Sequence, residues 1–181
     1  MSGRLLEGAR VLDLSRMLTG GYGAMLLGDM GAEIIKIEPP GEGDPLRAMP
    51  PHFVEGESAY FLSISRNKKS VTLDLRKTEG QAVFHDLVRK ADVVFDNFRP
   101  GILARLAADH ETLRRVNPRI ISCSISSFGQ DGPRAEEPAF DLTIQALAGA
   151  MSITGEPGRL PVRMGIPLGD TAGSMFAAGA G

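Results

Sequence analysis

Asp170 is the only ionisable side chain in the stretch GIPLGDTAGSMF, residues 165–176. The residues before it, 162–167, read as a strand that leads into a turn at Gly169. Those after it, 171–180, are rich in alanine and read as a helix. One role for the carboxylate is as an N-cap, accepting hydrogen bonds from the free N–H groups of the first helical turn. The other is chemical. A carboxylate on a strand-to-helix turn, at the positive end of a helix dipole, stays ionised, faces outward and can act as a nucleophile. The two roles are compatible.

Three further clusters could serve it. SRNKKS, residues 65–70, sets Arg66, Lys68 and Lys69 just before a strand, and DNFRPG, residues 96–101, puts Asn97, Phe98 and Arg99 at the end of one. Arg105 follows in the next helix. Ligands of open α/β sheets bind beyond the carboxyl ends of the strands, which singles out Asn97 and Phe98. The basic groups suit a phosphorylated adenine nucleotide, or are solvated surface. The third cluster is TGGYGAMLLGDMG, residues 19–31, with Glu38 ending the next strand where a ribose-binding acid would sit. A dinucleotide fingerprint needs a small residue where Leu26 stands. The glycines therefore serve another ligand or tight packing.

His52, His85 and His110 share no metal-ligand spacing with one another or with Cys123, and no metal is expected; His85 sits at a polar, solvated helix position. There is no P-loop and no serine nucleophile elbow. Cys123, in RIISCSISSF, reads as a buried strand residue. As the only cysteine it excludes an internal disulfide and fits a reducing compartment.

The elements that must position these groups follow from periodicity. The chain has 181 residues, 43% apolar and 23% charged, with net charge −2. That is enough for one cored domain and gives no case for nucleic acid or an acidic membrane as partner. No apolar run has signal-peptide or bilayer length, so the cytoplasm is the expected location. RVLDLS, a glycine-rich turn RMLTGGYG, the helix AMLLGDMG and AEIIKIE form a βαβ unit. An irregular segment, 39–69, precedes the strand SVTLDL. A helix over 78–91 carries a capping box (Thr78, Gln81) and an apolar face of Val83, Phe84, Leu87 and Val88. DVVFDNF and RIISCSISSF are strands, with two helical pieces between them over 100–116. A helix reaches Ala150, with Asp141 as its N-cap. The whole, 1–181, reads as a single Rossmann-like α/β domain: an open, mainly parallel sheet with helices on both faces. The ending SMFAAGAG stops inside a helical pattern and reads as part of a longer polypeptide.

LDLSRMLTGGYGAMLLGDMGAEIIKIEPPGEGDPLR, NKKSVTLDL, ADVVFDNFRPG, NPRIISCSISSFGQDGP and GIPLGDTAG, in this order, resemble the class III CoA-transferases. The likeness covers essentially the whole chain, as the N-terminal portion of a longer enzyme. It implies that Asp170 is the catalytic aspartate, relaying coenzyme A from an acyl-CoA donor to a free carboxylic acid. It also implies that Met17, Leu18, Asn67, Lys68, Lys69, Asn97, Phe98 and Arg105 line the CoA site. It further implies an interlocked homodimer and a mobile glycine-rich loop downstream of Gly181. Gly20-Gly21 departs from the family's usual Gly-Pro, which puts the loop shape in question. Two alternatives stand beside this: a 2-methylacyl-CoA racemase, whose branch carries a histidine where Phe140 stands, and a non-catalytic CoA-binding fragment.

Overall fold

Strand β1 (Arg10–Asp13) sorts the core into two layers. Val11 points to one face of the sheet and Leu12 to the other, as the two-residue period of a strand requires. In the computed structural model, which describes residues 3–180, β1 is the central strand. It pairs in parallel with β2 (Glu33–Glu38) on one side and β6 (Val93–Asp96) on the other. Outside these lie β5 (Lys68–Thr72) and β7 (Ile121–Ser124), giving the order β5-β2-β1-β6-β7 with every pairing parallel.

The crossover helices cover both faces. On one side α1 (Met17–Asp29) and α7 (Leu168–Ala180) pack Ala24, Leu27 and Ala178 against Val11, Ile34, Val93 and Phe95. On the other, α3 (Thr78–Val88) and α5 (His110–Val116) bring Phe84, Val88 and Leu113 against Leu12, Leu14 and Val94. Phe84 and Phe95 are fully buried, each contributing roughly 2–3 kcal/mol of transfer free energy. The short α4 (Ile102–Arg105) precedes α5, so the region 100–116 is helical in two pieces, as read from the sequence.

Several local expectations fail for identifiable reasons. The expected glycine-rich turn over 16–23 is the first half of α1, because its glycines are sites of close packing. A Cβ on Gly23 would stand 2.7 Å from the Phe95 ring, and one on Gly21 2.9 Å from Ile64. The segment 39–69 is ordered around a 3-10 turn at Pro45–Ala48, a hairpin of β3 (Phe53–Val54) and β4 (Glu57–Ser58), and α2 (Ala59–Ser65). The capping box does not form. Lys77 holds the N-cap position without a side-chain bond, and the Gln81 amide donates to Leu75 O at 2.9 Å. Val83 is 47% exposed, off the buried stripe. The His85 ring is half-buried, with Nε2 2.7 Å from Ala107 O. No strand forms over 162–167. The helix begun at 141 stops at Leu147, ahead of Gly149 with φ +80°.

Candidate active site

The two central strands end alike. Asp13 and Asp96, each at the last position of its strand, are buried and accept from the N–H two residues on, Ser15 at 2.9 Å and Phe98 at 2.9 Å. Such turns bend the chain off the strand without leaving an N–H unpaired. The two bends are then tied together. Asn97 Oδ1 accepts from Arg16 N at 2.8 Å, and its Nδ2 donates to Arg16 O at 2.6 Å. This pair of hydrogen bonds crosses from β1 to β6, where the sheet reverses its winding and α/β crevices form. Met17 follows at φ +60°, a left-handed conformation uncommon outside glycine.

A cleft of about 550 Å³ opens at this edge. Leu14, Arg16, Phe98 and Leu106 form one side, residues 37–43 and Pro45 a second, and residues 73–76 a third. The Arg16 guanidinium lies 5.3 Å from the Phe98 ring centroid. Glu38, in the wall of the cleft, adjoins a buried set of paired charges. Lys36 Nζ contacts Asp44 at 2.7 Å and donates to Ser15 O at 2.8 Å. Lys68 Nζ donates to Asp13 and to Gly21 O, both at 2.8 Å. Glu38 receives both arms of Arg47 at 2.8 Å, together with the Ser70 hydroxyl and the Asp44 N–H. Burial pushes the Glu38 carboxyl up, but these hydrogen bonds outweigh it and bring it to about 2. The carboxylate that spacing offered to a ribose is therefore fully engaged inside the protein.

Asp170 stands in the first turn of α7. It does not cap that helix, and Asp141 does not cap its own, where Phe140 holds the N-cap position. Instead Asp141 Oδ1 accepts from Gly169 N at 2.7 Å and Asp170 N at 3.3 Å, capping α7 from the start of α6 (Asp141–Leu147). The Asp170 carboxylate is thereby left free of the helix end. Its Oδ1 accepts from Thr19 Oγ1 of α1 at 2.5 Å. Ser174, one turn on and fully buried, lies 2.6 Å from both Thr19 O and Asp170 O, so α7 is keyed onto α1. Burial pushes the Asp170 carboxyl above the usual carboxylate range; the Thr19 bond opposes this and the Asp141 charge adds to it. The Tyr60 phenol is pushed up by burial and then by the charge of Asp170.

The structure places Met17, Leu18, Asn97, Phe98 and Arg105 in the segments that follow β1 and β6 at the carboxyl edge of the sheet. Phe98 lines the cleft, Arg105 adjoins its Leu106, and Met17 and Leu18 connect the cleft to Thr19 along α1. Asn67, Lys68 and Lys69 stand at the amino end of β5. Their side chains reach Asp29 at 2.6 Å, Asp13 at 2.8 Å and Glu33 at 2.6 Å. Burial lowers the Lys68 pKa, against the pull of Asp13. Sequence reasoning missed Arg16, residues 73–76, Thr19, Tyr60 and Gln145. Residues 73–76 follow directly on a strand, a position the carboxyl-edge rule could have flagged. Among the described residues no group of three or more His, Cys, Asp or Glu side chains could share a metal ion. Among them, too, no helix is long and apolar enough to cross a membrane.

Fold and site together define an α/β protein with a crevice at its switch point, lined by the N-cap residue Arg16 of α1, and a carboxylate on α7 that is bonded to Thr19 of the same α1. The profile of CoA-transferase family III matches residues 6–180, and the chain belongs to that family. It is 43% identical over 97% of its length to the succinyl-CoA:glutarate CoA-transferase of Mus musculus. It is 45% identical over 94% to the acetyl-CoA:oxalate CoA-transferase of Acetobacter aceti. Its fold is similar to a CAIB/BAIF family protein from Brucella suis, with TM-score 0.92 and 40% identity over 97% of the chain. The chain covers 40% and 44% of those two curated relatives and 47% of that solved chain, so it spans under half of each.

Proposed function

We propose that this chain carries the nucleotide cleft and the nucleophile of an enzyme that moves CoA from an acyl-CoA to a free carboxylic acid. One observation carries the reading. Asp141 takes over the cap of α7, leaving the Asp170 carboxylate free beside the α1 turn that borders the cleft. The adenine nucleotide of CoA would occupy the cleft, with Arg16 and Arg76 at its rim, and the thioester arm would pass Met17 and Leu18.

Transfer between two acids without ATP needs a third carboxylate as relay, which divides one hard exchange into easier steps. An Asp170 oxygen attacks the thioester carbonyl, the C–S bond breaks, and CoA thiolate leaves a mixed anhydride. The thiolate attacks the aspartyl carbonyl and expels the donor acid, giving an aspartyl-CoA thioester. The acceptor carboxylate attacks that carbonyl and releases the thiolate. The thiolate then attacks the acceptor's acyl carbon and restores the Asp170 carboxylate. No proton is gained or lost. Of the glycines near Asp170, Gly169 packs against Asp141 and Ile144 and Gly173 against Thr19, while a Cβ on Gly165 would meet nothing within 4 Å.

The racemase alternative needs groups that remove and return a proton on opposite faces of the α-carbon. Phe140, 79% exposed, has no proton to move. A fragment that binds CoA without turnover would keep the cleft and lose the transfer. The family resemblance extends the proposal to a homodimer of the full-length protein in a cytoplasmic setting; the exposed apolar side chains of α6 and α7 offer a surface for a second copy or for the rest of the full-length chain. The test is Asp170→Ala in the full-length protein. Transfer is lost while CoA binding persists; near-normal turnover would reduce Asp170 to a structural role. Deuterium entering the α-position of a 2-methylacyl-CoA in heavy water, at the rate of CoA transfer, would favour the racemase.

A further inference from the structure

Helix α6 buries one residue, and it is polar. Gln145 is 3% exposed, while Leu142 and Leu147 of the same helix are 50% and 54% exposed. A buried amide is retained when its hydrogen bonds are made. Gln145 Nε2 donates to Asp141 Oδ2 at 2.6 Å and to Ile166 O at 3.2 Å, and its Oε1 accepts from Met164 N at 2.9 Å. Three of its four possible bonds are thus formed. Two close the bend at residues 165–166, just before α7. The third fixes the carboxylate whose other oxygen caps Gly169 and Asp170.

We infer that Gln145 is a positioning residue for Asp170, acting through Asp141 and through the backbone of residues 164–166. This rests on the reading of Asp170 as the nucleophile. The approach to α7 has no ladder to hold it, since no strand forms over 162–167. Its bend is held by the Gln145 amide, and the two N–H groups at the turn of Asp170 by Asp141. Losing the amide frees both supports and lets the Asp170 carboxylate swing relative to Thr19. Neither Gln145 nor Asp141 needs to touch substrate for this.

The experiment uses full-length protein and four variants. Gln145→Met keeps the volume and removes the bonds. Gln145→Glu sets a second carboxylate against Asp141. Asp141→Asn with Gln145→Glu reverses the pair. The introduced asparagine can cap with its Oδ1 and donate with its Nδ2, while the introduced glutamate accepts from it and from Met164 N. Asp170→Asn is the control for the underlying mechanism. The readouts are the single-turnover rate of acyl transfer onto the enzyme, CoA affinity and thermal unfolding. Gln145→Met and Gln145→Glu should slow transfer by about tenfold to a hundredfold, the scale of an ångström-sized misplacement, with CoA affinity unchanged. The exchanged pair should recover most of the loss suffered by Gln145→Glu. A Gln145→Met protein that folds and transfers at the normal rate overturns the inference, as does an exchanged pair no faster than Gln145→Glu alone. Should Asp170→Asn itself remain active, the nucleophile assignment fails instead, whatever Gln145 does.

Discussion

The charged interior beneath β1, β2 and β5 and the segment 140–176 are stabilised in opposite ways. In the first, Asp13, Lys36, Glu38 and Asp44 are buried, and each meets an opposite charge. In the second, Phe140, Ile153, Leu160 and Phe176 are 79–88% exposed, while the buried positions include Gln145 and Ser174. One region is closed by its own side chains. The other presents Asp170 on a few directional hydrogen bonds and leaves its apolar side chains uncovered. The charged interior should therefore tolerate little change, and the nucleophile's surroundings should tolerate more in stability than in activity.

The largest stability difference is expected at Lys36. Lys36→Met leaves Asp44 and Asp13 with fewer countercharges in a buried site, and breaking such a pair costs about 3–5 kcal/mol. The matched change in the second region, Arg159→Met, breaks an exposed pair 3.9 Å long and should fall within about 0.5 kcal/mol of wild type. Urea unfolding of both variants measures the contrast; equal costs would erase it.

Glycines give the next contrast. A Cβ on Gly20 would stand 2.1 Å from Ser15 Cβ, whereas one on Gly179 meets nothing within 4 Å. Gly20→Ala should lower stability by about 1–3 kcal/mol through overpacking. Gly179→Ala should raise it by up to about 1 kcal/mol through helix propensity. A shift of the unfolding midpoint in the same direction for both would mean that the close α1 packing is not what constrains Gly20.

These glycines also show what the sequence could and could not say. The βαβ start, the parallel sheet and the helical pieces over 100–116 were legible, because buried strands and amphipathic helices write their period locally. TGGYG looked like a turn because glycine marks both a sharp bend and a close approach, and only the fold reveals Phe95 and Ile64 against it. Local spacing gives Asp141 to its own helix, whereas the N–H groups it accepts from lie 28 and 29 residues away. Lys68 and Lys69 looked free for an anion because Asp13 and Glu33, far off in sequence, were not visible as their partners. The position of Asn97 and Phe98 just past the end of β6 is legible, because the carboxyl-edge rule depends on strand order, which the pattern supplies. Gln145 carried no signal, since a polar residue in an apolar stretch is ordinarily exposed.

Acid separates the regions in a different way. The Glu38 carboxyl is lower in the folded protein than when unfolded, so it contributes stability above the ordinary glutamate range. That stability is lost as pH falls toward about 2. Glu38→Gln should therefore flatten the loss of stability between about pH 5 and pH 2. Asp170 has the opposite sign. Its folded pKa is raised, so ionisation costs stability above the unfolded value, and acid relieves that cost. Asp170→Asn should unfold at a higher temperature than wild type at neutral pH while losing transfer. A less stable Asp170→Asn would show that the carboxylate is held for structure. The smallest stability effect is expected at Phe176, where Phe176→Ser should change the unfolding midpoint little. It should reduce self-association, seen by sedimentation.

The central claim is that Asp170 forms a bond with substrate. The most direct measurement mixes full-length protein with an acyl-CoA, quenches within one turnover and weighs the peptide containing Asp170. The account predicts an added acyl group or CoA on that peptide, absent from the Asp170→Asn protein and removed by a free acid acceptor. An unmodified Asp170 peptide in an enzyme that is turning over, with transfer surviving in Asp170→Asn, would contradict it.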